Sequence, residues 1–427
     1  RFRFRNNSLP QLENAVYTAE SATDQLDVRE QPQTLVFRWV SERGHVIEKT
    51  YRFSPESYMI GLSVNLKNGS DAALQDTPTL SIFDFAQKSR RAIGFEGPSA
   101  MISGSVEEFD VDDISEGENF FPGKIQWAGI VDRYFLSAIV PGQIQDAAVR
   151  LALPTEKIVS VSYVEPETIL SAGTQKTFEY SIFFGPKSFR LLSRYNNNLA
   201  AAIDFGMFDF LAKPLLWIMN FIYDHLIPNY GVAIILVTLA VKVLLWPLGS
   251  KSYKSMSEMK KLQPLIKELR EKYKDDRKKM NEETMALYRT YKINPLGGCL
   301  PMVVQIPVFL AFYNMLYEAI ELRHAPFLLW INDLSAPDRL FRFGFSIPFM
   351  EPPYGIPVLT LIMGASMLLQ QKMSPPMGDP TQAKMMMLMP VVFTFIFINF
   401  SSGLVLYWLV NNLFSIGQQY YVTQKAA

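Results

Sequence analysis

One apolar stretch, GVAIILVTLAVKVLLWP from Gly231 to Pro247, carries a single charge, Lys242. A lysine deep inside a membrane-spanning helix costs about 3 kcal/mol on insertion scales, so this pattern indicates a wet or hydrogen-bonded environment for the ammonium group. The alternative is that Lys242, one helical turn before Trp246, extends its long stem to the membrane interface at little cost. The stretch taken alone supports both interpretations equally.

The composition of the chain averages two unlike halves. Hydrophobic residues make up 49% and charged residues 19% of the 427 residues, but residues 1–198 have the pattern of a soluble domain and the rest is mostly apolar. The formal net charge is +0, which gives no reason to expect a specific nucleic-acid partner. With one cysteine, Cys299, and three histidines, we expect no internal disulfide, no metal site and no cofactor.

Residues 1–198 alternate apolar and polar side chains with a period of two, which predicts strands that bury one face. Turn-forming residues such as Pro141-Gly142 separate these runs. We therefore expect an all-β antiparallel sandwich with its own core. The inward-facing positions are expected to be Leu35, Phe37 and Trp39; Tyr58, Ile60, Leu62, Val64 and Leu66; Val159, Val161 and Tyr163; and Phe178, Tyr180, Ile182 and Phe184.

This predicted sandwich offers little chemistry. An acidic loop from Asp110 to Glu118 has the residue types of a calcium site, but its spacing does not match an EF-hand, so a solvated loop is the better interpretation. His45 lies in a turn-like ERGH segment without a histidine or carboxylate at metal-binding spacing. We expect no catalysis from this half of the chain.

The second half predicts an α-helical bundle of five transmembrane core helices. A short amphipathic helix at the membrane interface is expected over 199–214, ending where Pro214 redirects the chain. The predicted spans are 215–248, kinked around Pro228 to Gly231, then 296–320, 356–371, 385–401 and 402–423.

Charge asymmetry predicts how these segments are oriented. Residues 249–295 contain far more lysine and arginine than acid and have helical apolar spacing, so we expect a helical hairpin in the cytoplasm. The loop 372–384 is expected on the same side, as is the C-terminus, and the aromatic-rich loop 321–355 on the outside with residues 1–198. Because an exported domain needs a targeting segment and the chain begins at Arg1 without one, we expect a segment upstream of it.

Polar residues recur inside the predicted spans. Thr238 lies one helical turn before Lys242, and Gln305 lies between two prolines in PMVVQIP. The last span carries a further set, Tyr407, Trp408, Asn411, Asn412, Ser415 and Gln418, of which Trp408, Asn411, Asn412 and Ser415 fall near one face at helical spacing. Ordinary hydrogen bonding between helices explains the amides. It accommodates an ammonium less easily, so a hydrated cavity is the favoured interpretation.

Several long strings resemble the YidC family of membrane protein insertases: NPLGGCLPMVVQIPVFLAFYNML, ELRHAPFLLWINDLSAPD, QKMSPP and SSGLVLYWLVNN. The resemblance covers essentially the whole chain and is to members with a large periplasmic domain. It implies an inner-membrane protein with a groove open to the cytoplasm and the lipid and one essential positive charge. It also implies that the expected upstream segment is a first transmembrane helix and its linker.

The resemblance places the groove at Lys242, Thr238, Gln305, Tyr407, Trp408 and Asn411. The charge is usually an arginine in this family, so Lys242 keeps the charge and loses the bidentate geometry. Trp408 takes the place of a substrate-contacting tyrosine, with Tyr407 beside it. Implied partners are nascent membrane proteins, the ribosome, the Sec translocon and the lipid bilayer.

Three other classes of function compete with insertion. A secondary transporter or channel would also place Lys242 in a wet cavity, although the uneven number of spans and the absence of inverted repeats argue against it. An enzyme would need an acid–base pair or a nucleophile at depth, and apart from Lys242 the spans offer no such ionisable set. A scaffold would predict that removal of the Lys242 charge is harmless. We therefore expect a non-enzymatic insertase that consumes no nucleotide.

Overall fold

The computed structural model describes residues 1–21, 25–86, 94–114, 119–274, 276–291, 300–373 and 380–426. The chain divides into two compact units, Arg1–Asp204 and Phe205–Ala427. The boundary lies six residues beyond the predicted one at 198, since a short 3-10 turn, Leu199–Ala202, still belongs to the first unit. Leu199 is fully buried there.

The first unit is built from antiparallel strands. Its strands are β1 (Phe2–Phe4), β2 (Thr18–Glu20), β3 (Gln33–Val40), β4 (Val46–Phe53), β5 (Met59–Lys67), β6 (Leu74–Asp76), β7 (Pro78–Phe85), β8 (Gly97–Ile102), β9 (Ser105–Glu108), β10 (Asn119–Val131), β11 (Phe135–Pro141), β12 (Asp146–Thr155), β13 (Ile158–Val164), β14 (Thr168–Leu170) and β15 (Gln175–Pro186). The main sheet has the order β1-β7-β13-β12-β10-β11-β15-β5-β4-β3-β2, with β8 and β9 attached to β10. A short pair, β14 with β6, lies outside it.

The long strand β10 belongs to both layers of the predicted sandwich. Its first half, Asn119–Lys124, pairs with β12, and its second half pairs with β8 and β11. The register shifts between Ile125 and Trp127, where a bulge bends the strand from one layer into the other. The buried core takes side chains from both layers, such as Val161 of β13 and Val64 of β5, so they pack face to face.

The predicted alternation is confirmed for most of β5 and β15. Leu62, Val64 and Leu66 face the core. It is wrong at Tyr58 and Phe184, which are each 48% exposed. Beside Phe184, Phe183 is fully buried because Tyr58 and Tyr195 cover it, with ring centroids 6.5 and 5.7 Å away.

Asp110 and His45, considered above as metal ligands, form hydrogen bonds within their local turns. Asp110 accepts a hydrogen bond from the Asp112 N–H at 3.1 Å and so caps the 3-10 turn Val111–Asp113, while Glu116 and Glu118 lie outside the described residues. His45 is buried in the β3–β4 turn, where its backbone N–H donates to Ser41 Oγ at 2.9 Å, and its imidazole Nδ1 has no hydrogen-bond partner among the described residues. In the described ranges we find no cluster of side chains able to hold a metal ion.

A buried carboxyl group links β15 to the end of β13. The Tyr180 hydroxyl donates to Glu165 Oε1 at 2.7 Å, and Gln145 Nε2 donates to Oε2 at 2.6 Å. Burial raises the pKa of Glu165, and the bonds from Tyr180 and Gln145 offset this only in part. The protonated carboxyl is therefore favoured in the folded sandwich more than in an unfolded chain.

This raised pKa predicts how the stability of the sandwich depends on pH. The stabilisation is complete below the unfolded-state pKa and is lost as the pH rises through the folded-state pKa. We expect protection of β13 and β15 from hydrogen exchange, corrected for intrinsic rates, to fall as the pH is raised from acidic to neutral, and Glu165→Gln to remove this dependence. Glu167→Gln, at an exposed position two residues away, is the control. An unchanged pH dependence in Glu165→Gln would contradict the prediction.

The second unit is mainly helical. The α-helices of the chain are α1 (Phe189–Leu192), in the first unit, and α2 (Asp209–His225), α3 (Tyr230–Leu244), α4 (Trp246–Lys261), α5 (Gln263–Lys272), α6 (Arg277–Thr290), α7 (Leu300–Glu318), α8 (Val358–Met373), α9 (Pro380–Phe397) and α10 (Ser402–Ala426). Two short strands, β16 (Leu340–Phe343) and β17 (Tyr354–Ile356), pair between α7 and α8. Helix α10 packs against α3, α4, α7 and α8.

The predicted interfacial helix over 199–214 is wrong in form. Two 3-10 turns, Leu199–Ala202 and Gly206–Phe208, precede α2, and α2 continues through Pro214 instead of ending there. Pro214 lies early in the helix, where its missing N–H costs one main-chain hydrogen bond. The apolar residues of 203–214 therefore divide between a turn and the first half of a longer helix.

The predicted kinked span 215–248 is two separate helices that pack together, α2 and α3. Asn229 starts α3 by accepting a hydrogen bond from the Val232 N–H at 3.1 Å. The bend lies further along, at Leu245, where α3 and α4 meet at 65°. Pro247 causes it, since proline has no N–H to donate to the carbonyl group four residues earlier.

Membrane crossing is not evident from single helices. In the described part of the chain, none is both long and apolar enough to span a bilayer alone, whereas α3 and α4 meet the length and composition requirements as a bent pair. The spans predicted at 296–320, 356–371, 385–401 and 402–423 correspond in position to α7 through α10. Their crossing of the membrane stays a prediction.

The segment predicted as a helical hairpin over 249–295 contains most of α4 and all of α5 and α6. A turn around Tyr273 separates α5 from α6, and Asp276 caps α6 by accepting a hydrogen bond from the Lys279 N–H at 3.0 Å. The end of this segment, with Cys299 beyond it, lies outside the described residues, as do residues 374–379 of the predicted loop 372–384.

The segment predicted as an external loop, 321–355, is anchored by Asp338. This side chain is 2% exposed. Its Oδ1 accepts a hydrogen bond from Trp330 Nε1 at 2.6 Å, and its Oδ2 accepts one from the Leu359 N–H in the first turn of α8. The adjacent Arg339 donates to the Ile398 carbonyl oxygen, just after α9, at 2.8 Å. These two residues hold the loop to the ends of two helices.

Loss of the Asp338 carboxylate would leave the Trp330 indole and the start of α8 without their acceptor. Hydrogen bonds to buried charged groups each contribute about 1.5–3 kcal/mol, so we expect Asp338→Ala to lower the free energy of unfolding by about 3 kcal/mol. Equilibrium unfolding in mixed detergent micelles measures this. Glu351→Ala, an exposed carboxylate of the same loop, should have little effect. Equal losses in the two variants would argue against the anchor.

Candidate functional site

Lys242 lies in the last turn of α3, where α3 meets α7 and α10. Its Nζ donates to Ser415 Oγ of α10 at 2.8 Å and to Gln305 Oε1 of α7 at 3.4 Å. The ammonium group is partly buried. The structure therefore brings Lys242 to polar side chains of two other helices, as the wet or hydrogen-bonded interpretation requires.

Two further hydrogen bonds connect the partners of Lys242. Gln305 Nε2 donates to Asn411 Oδ1 at 2.6 Å, and Ser415 Oγ donates to the Asn411 carbonyl oxygen at 2.8 Å. Asn411 and Ser415 are one turn apart and buried, at 9% and 3% exposure. We call Lys242, Gln305, Asn411 and Ser415 the Lys242 cluster.

The four members of the Lys242 cluster carry one positive charge and no negative charge. In the part of the chain that the structure describes, the groups that bond Lys242 are neutral, and the ion pairs present there involve other residues. A partly buried ammonium without a carboxylate partner attracts negative charge more strongly than one in water, because the surrounding dielectric is lower. The arrangement can bind an anionic group by exchanging a hydrogen bond to a neutral acceptor for one to a charged acceptor.

Thr238 is not bonded to the cluster. It is 1% exposed, and its hydroxyl donates to the Ile234 carbonyl oxygen of its own helix at 2.6 Å. It shares a helix face with Lys242, as predicted, but contributes no polar group to the cluster. Sequence spacing cannot reveal this, since a threonine hydroxyl in a helix competes between its own backbone and a neighbour.

Tyr407 and Trp408 belong to an aromatic cluster next to the Lys242 cluster. Tyr407 is 3% exposed and stacks on Phe312 of α7 with ring centroids 4.4 Å apart. Trp408 packs against Phe309 at 4.8 Å and Phe397 at 5.1 Å, so it joins α10 to α7 and α9. Its buried Nε1 has no partner among the described residues. Tyr407 also hydrogen-bonds Gln305 through its hydroxyl group, so the pair contributes packing and one polar contact with the Lys242 cluster.

Ser415 belongs to the Lys242 cluster, although it was not among the predicted groove residues. The signal for it is its position four residues after Asn411 on the same face of the last predicted span. Asn412, on the same broad face, instead donates to Ser366 Oγ of α8 at 3.2 Å. The polar side of α10 therefore serves several neighbouring helices.

Comparison with known families matches both units. Residues 2–218 match the family model described as YidC periplasmic domain, and residues 221–427 match the one described as 60Kd inner membrane protein. A curated relative, membrane protein insertase YidC of Syntrophobacter fumaroxidans, is 43% identical over 422 residues, covering 97% of this chain and 75% of the relative. The protein of the same name from Syntrophus aciditrophicus is 45% identical, covering 89% of this chain and 67% of the relative.

A solved structure titled as an active YidC insertase with its first transmembrane domain resolved aligns with 96% of this chain and 84% of that one, at 20% identity and a TM-score of 0.45. The assignment rests on the family models and on the curated relatives, which are similar over nearly the full chain. Inner-membrane location and a periplasmic sandwich follow from the family. The chain belongs to the YidC family of membrane protein insertases.

Proposed function

We propose that this chain inserts newly made inner-membrane proteins through a hydrated, positively charged groove, open to the cytoplasm and the lipid, in which Lys242 is the charge. The observation that carries the proposal is the Lys242 cluster, where an ammonium group bonds only neutral partners of α7 and α10 within the described residues. Family membership supplies the activity. The β-sandwich is proposed to lie in the periplasm, with the α4–α6 hairpin and the C-terminus in the cytoplasm.

The first step in this proposal is electrostatic. A short acidic segment of the substrate enters from the cytoplasm and replaces Gln305 or Ser415 as the partner of the Lys242 ammonium. Opposite charges 4 Å apart attract by about 4 kcal/mol at an effective dielectric constant of 20, several times more than in water. The displaced hydroxyl and amide groups retain their bonds to Asn411, so the exchange leaves few polar groups without a partner.

The second step uses apolar surface. Side chains on α7 and α9 are exposed although they are hydrophobic, for example Val303 at 59%, Ile306 at 49% and Phe395 at 58%. We propose that the hydrophobic segment of the substrate moves along these surfaces into the lipid. Its own apolar burial makes that movement favourable, so no nucleotide is needed.

Substitution of Lys242 tests whether the charge acts. We expect Lys242→Arg to keep insertion of a single-spanning substrate with an acidic external segment, because arginine preserves the charge. Lys242→Met and Lys242→Glu should reduce it by about tenfold or more, since each removes the attraction of about 1.4 kcal/mol or above on which the first step depends. The assay is protease protection of the substrate in cells depleted of their own insertase and complemented with each variant.

A matched control is Lys251→Met on α4, which removes an exposed lysine outside the cluster. It should leave insertion unchanged at equal protein levels. If the Lys242→Met variant inserts the substrate as well as the unchanged protein does, the Lys242 side chain only extends to the membrane interface. Insertion then depends on the shape of the groove. Flux of a small solute through the purified protein in vesicles would favour a transporter or channel instead.

The hairpin is the proposed contact for the ribosome. Its exposed lysines on α5 and α6 include Lys267, Lys272 and Lys278, and a basic surface favours a polyanionic partner or an acidic chain. We expect simultaneous reversal of these three charges to glutamate to weaken co-sedimentation with translating ribosomes by roughly tenfold and to reduce its dependence on salt. Replacement of the same three lysines by arginine is the control. Unaltered binding after charge reversal would exclude the hairpin as the contact.

We also propose that the chain works both alone and with the Sec translocon, as the family resemblance implies. Two classes of substrate distinguish these modes. Small membrane-spanning proteins should insert when the translocon is depleted, and proteins with long external domains should not. Failure of both classes under depletion would limit the chain to a translocon partner.

A further inference from the structure

The bend between α3 and α4 is held by residues of α10. Helix α4 starts at Trp246, immediately after the break at Leu245, and leads directly into the hairpin. A proline-induced bend frees backbone groups and allows a range of angles unless neighbouring groups fix it. The contacts of the first turn of α4 therefore determine the direction in which the hairpin leaves the bundle.

Gln418 makes the polar part of this contact. Its Nε2 donates to the Trp246 carbonyl oxygen at 2.9 Å and to Ser250 Oγ at 3.2 Å, two acceptors one turn apart on α4. The side chain is 4% exposed. A buried amide that loses such bonds keeps the cost of desolvation, so this geometry is favoured over other positions of α4.

Aromatic rings of α10 flank the amide on both sides. Trp246 packs edge-to-face against Phe414 at 5.6 Å and is tilted against Tyr421 at 6.1 Å. Phe414, Gln418 and Tyr421 are spaced four and three residues apart, so they form one face of α10. The first turn of α4 is thus held by two rings and a central hydrogen-bonding group.

Gly249 allows the side-chain amide of Gln418 to lie close to the backbone of α4. A Cβ at this position would lie 2.8 Å from Gln418 Nε2 and 2.8 Å from its Oε1. The amide of Gln418 therefore lies directly against the backbone of α4, where only glycine leaves room. A larger residue would have to displace an amide that is already hydrogen-bonded on α4.

We propose that Gln418 is a positioning residue that sets the angle of the α4–α6 hairpin relative to the helical bundle. We define the elbow clamp as Trp246, Gly249 and Ser250 of α4 with Phe414, Gln418 and Tyr421 of α10. The clamp adjoins the Lys242 cluster, because Ser415 is one turn from Gln418 on α10 and Lys242 is one turn before Trp246. Its effect on insertion rests on the proposed function, but its effect on the hairpin angle does not.

The distance between the hairpin and the bundle tests the clamp without any insertion assay. Spin labels at Lys267→Cys on α5 and Lys372→Cys on α8, both exposed positions, are introduced in a Cys299→Ser background. Double electron–electron resonance in lipid nanodiscs gives the distribution of distances. We expect Gln418→Met, which keeps length and volume but removes the donor, to make the distribution roughly twice as wide, as a released segment samples more positions.

Gly249→Ala should have the same effect, since it displaces the Gln418 amide while leaving every bonding group in place. The double variant should be no wider than either single one, because both remove the same contact. Gly417→Ala is the matched control: it adds a methyl group one residue from Gln418, where nothing lies within 4 Å. It should leave the distribution unchanged.

An unchanged distribution in both Gln418→Met and Gly249→Ala would overturn the proposal, as would equal broadening in Gly417→Ala. Lys242→Met carries the test for the separate question of insertion and leaves the contacts of the elbow clamp in place. If insertion fails in Lys242→Met while the distances respond as expected to Gln418→Met, both proposals stand. If the distances respond and Lys242→Met still inserts, only the charge mechanism fails.

Discussion

An ammonium group can remain between helices only if hydrogen bonds replace the water it has lost, and the second unit is arranged around that requirement. Helix α10 supplies most of what is needed. It presents Ser415 to Lys242 and Asn411 to Gln305, which in turn accepts from Lys242. The same helix packs on α3, α4, α7 and α8. A residue of α10 that changes position therefore affects the charge, the bend and the packing together.

The two ends of the bundle are held by different kinds of bond. Between α7 and α8, Asp338 and Arg339 use charged side chains to fix the start of α8 and the end of α9. At the bend of α4, Gln418 uses a neutral amide, which donates to the Trp246 carbonyl oxygen and to Ser250 Oγ. Hydrogen bonds to charged groups contribute roughly twice as much as neutral ones. The charged groups at Asp338 and Arg339 thus hold their helix ends more strongly than the neutral amide of Gln418 holds the bend of α4.

Much of this could be predicted from sequence, for reasons visible in particular residues. Alternation placed Leu62, Val64 and Leu66 in the core, and helical spacing grouped Asn411 with Ser415, which bonds Lys242. The failures depend on contacts distant in sequence. Phe183 is buried since Tyr58 and Tyr195 cover it, and Thr238 turns to its own backbone. The sequence strings indicated the family, but the kink was predicted at Pro228 to Gly231, which lies between two separate helices, and the bend is at Leu245.

The closeness of the Lys242 cluster to the elbow clamp has an energetic consequence. An acidic segment that draws the Lys242 ammonium away from Ser415 changes the bonding of a side chain one turn from Gln418, on the helix that holds the bend. If the two are coupled, thermodynamic reciprocity requires that the hairpin angle change the affinity of Lys242 for the acid by the same factor. Under the proposed function, a ribosome on the hairpin would then adjust the affinity of Lys242 for an acidic segment of the substrate. The neutral bonds of Gln418, each contributing about 1 kcal/mol, limit that adjustment to several-fold per bond.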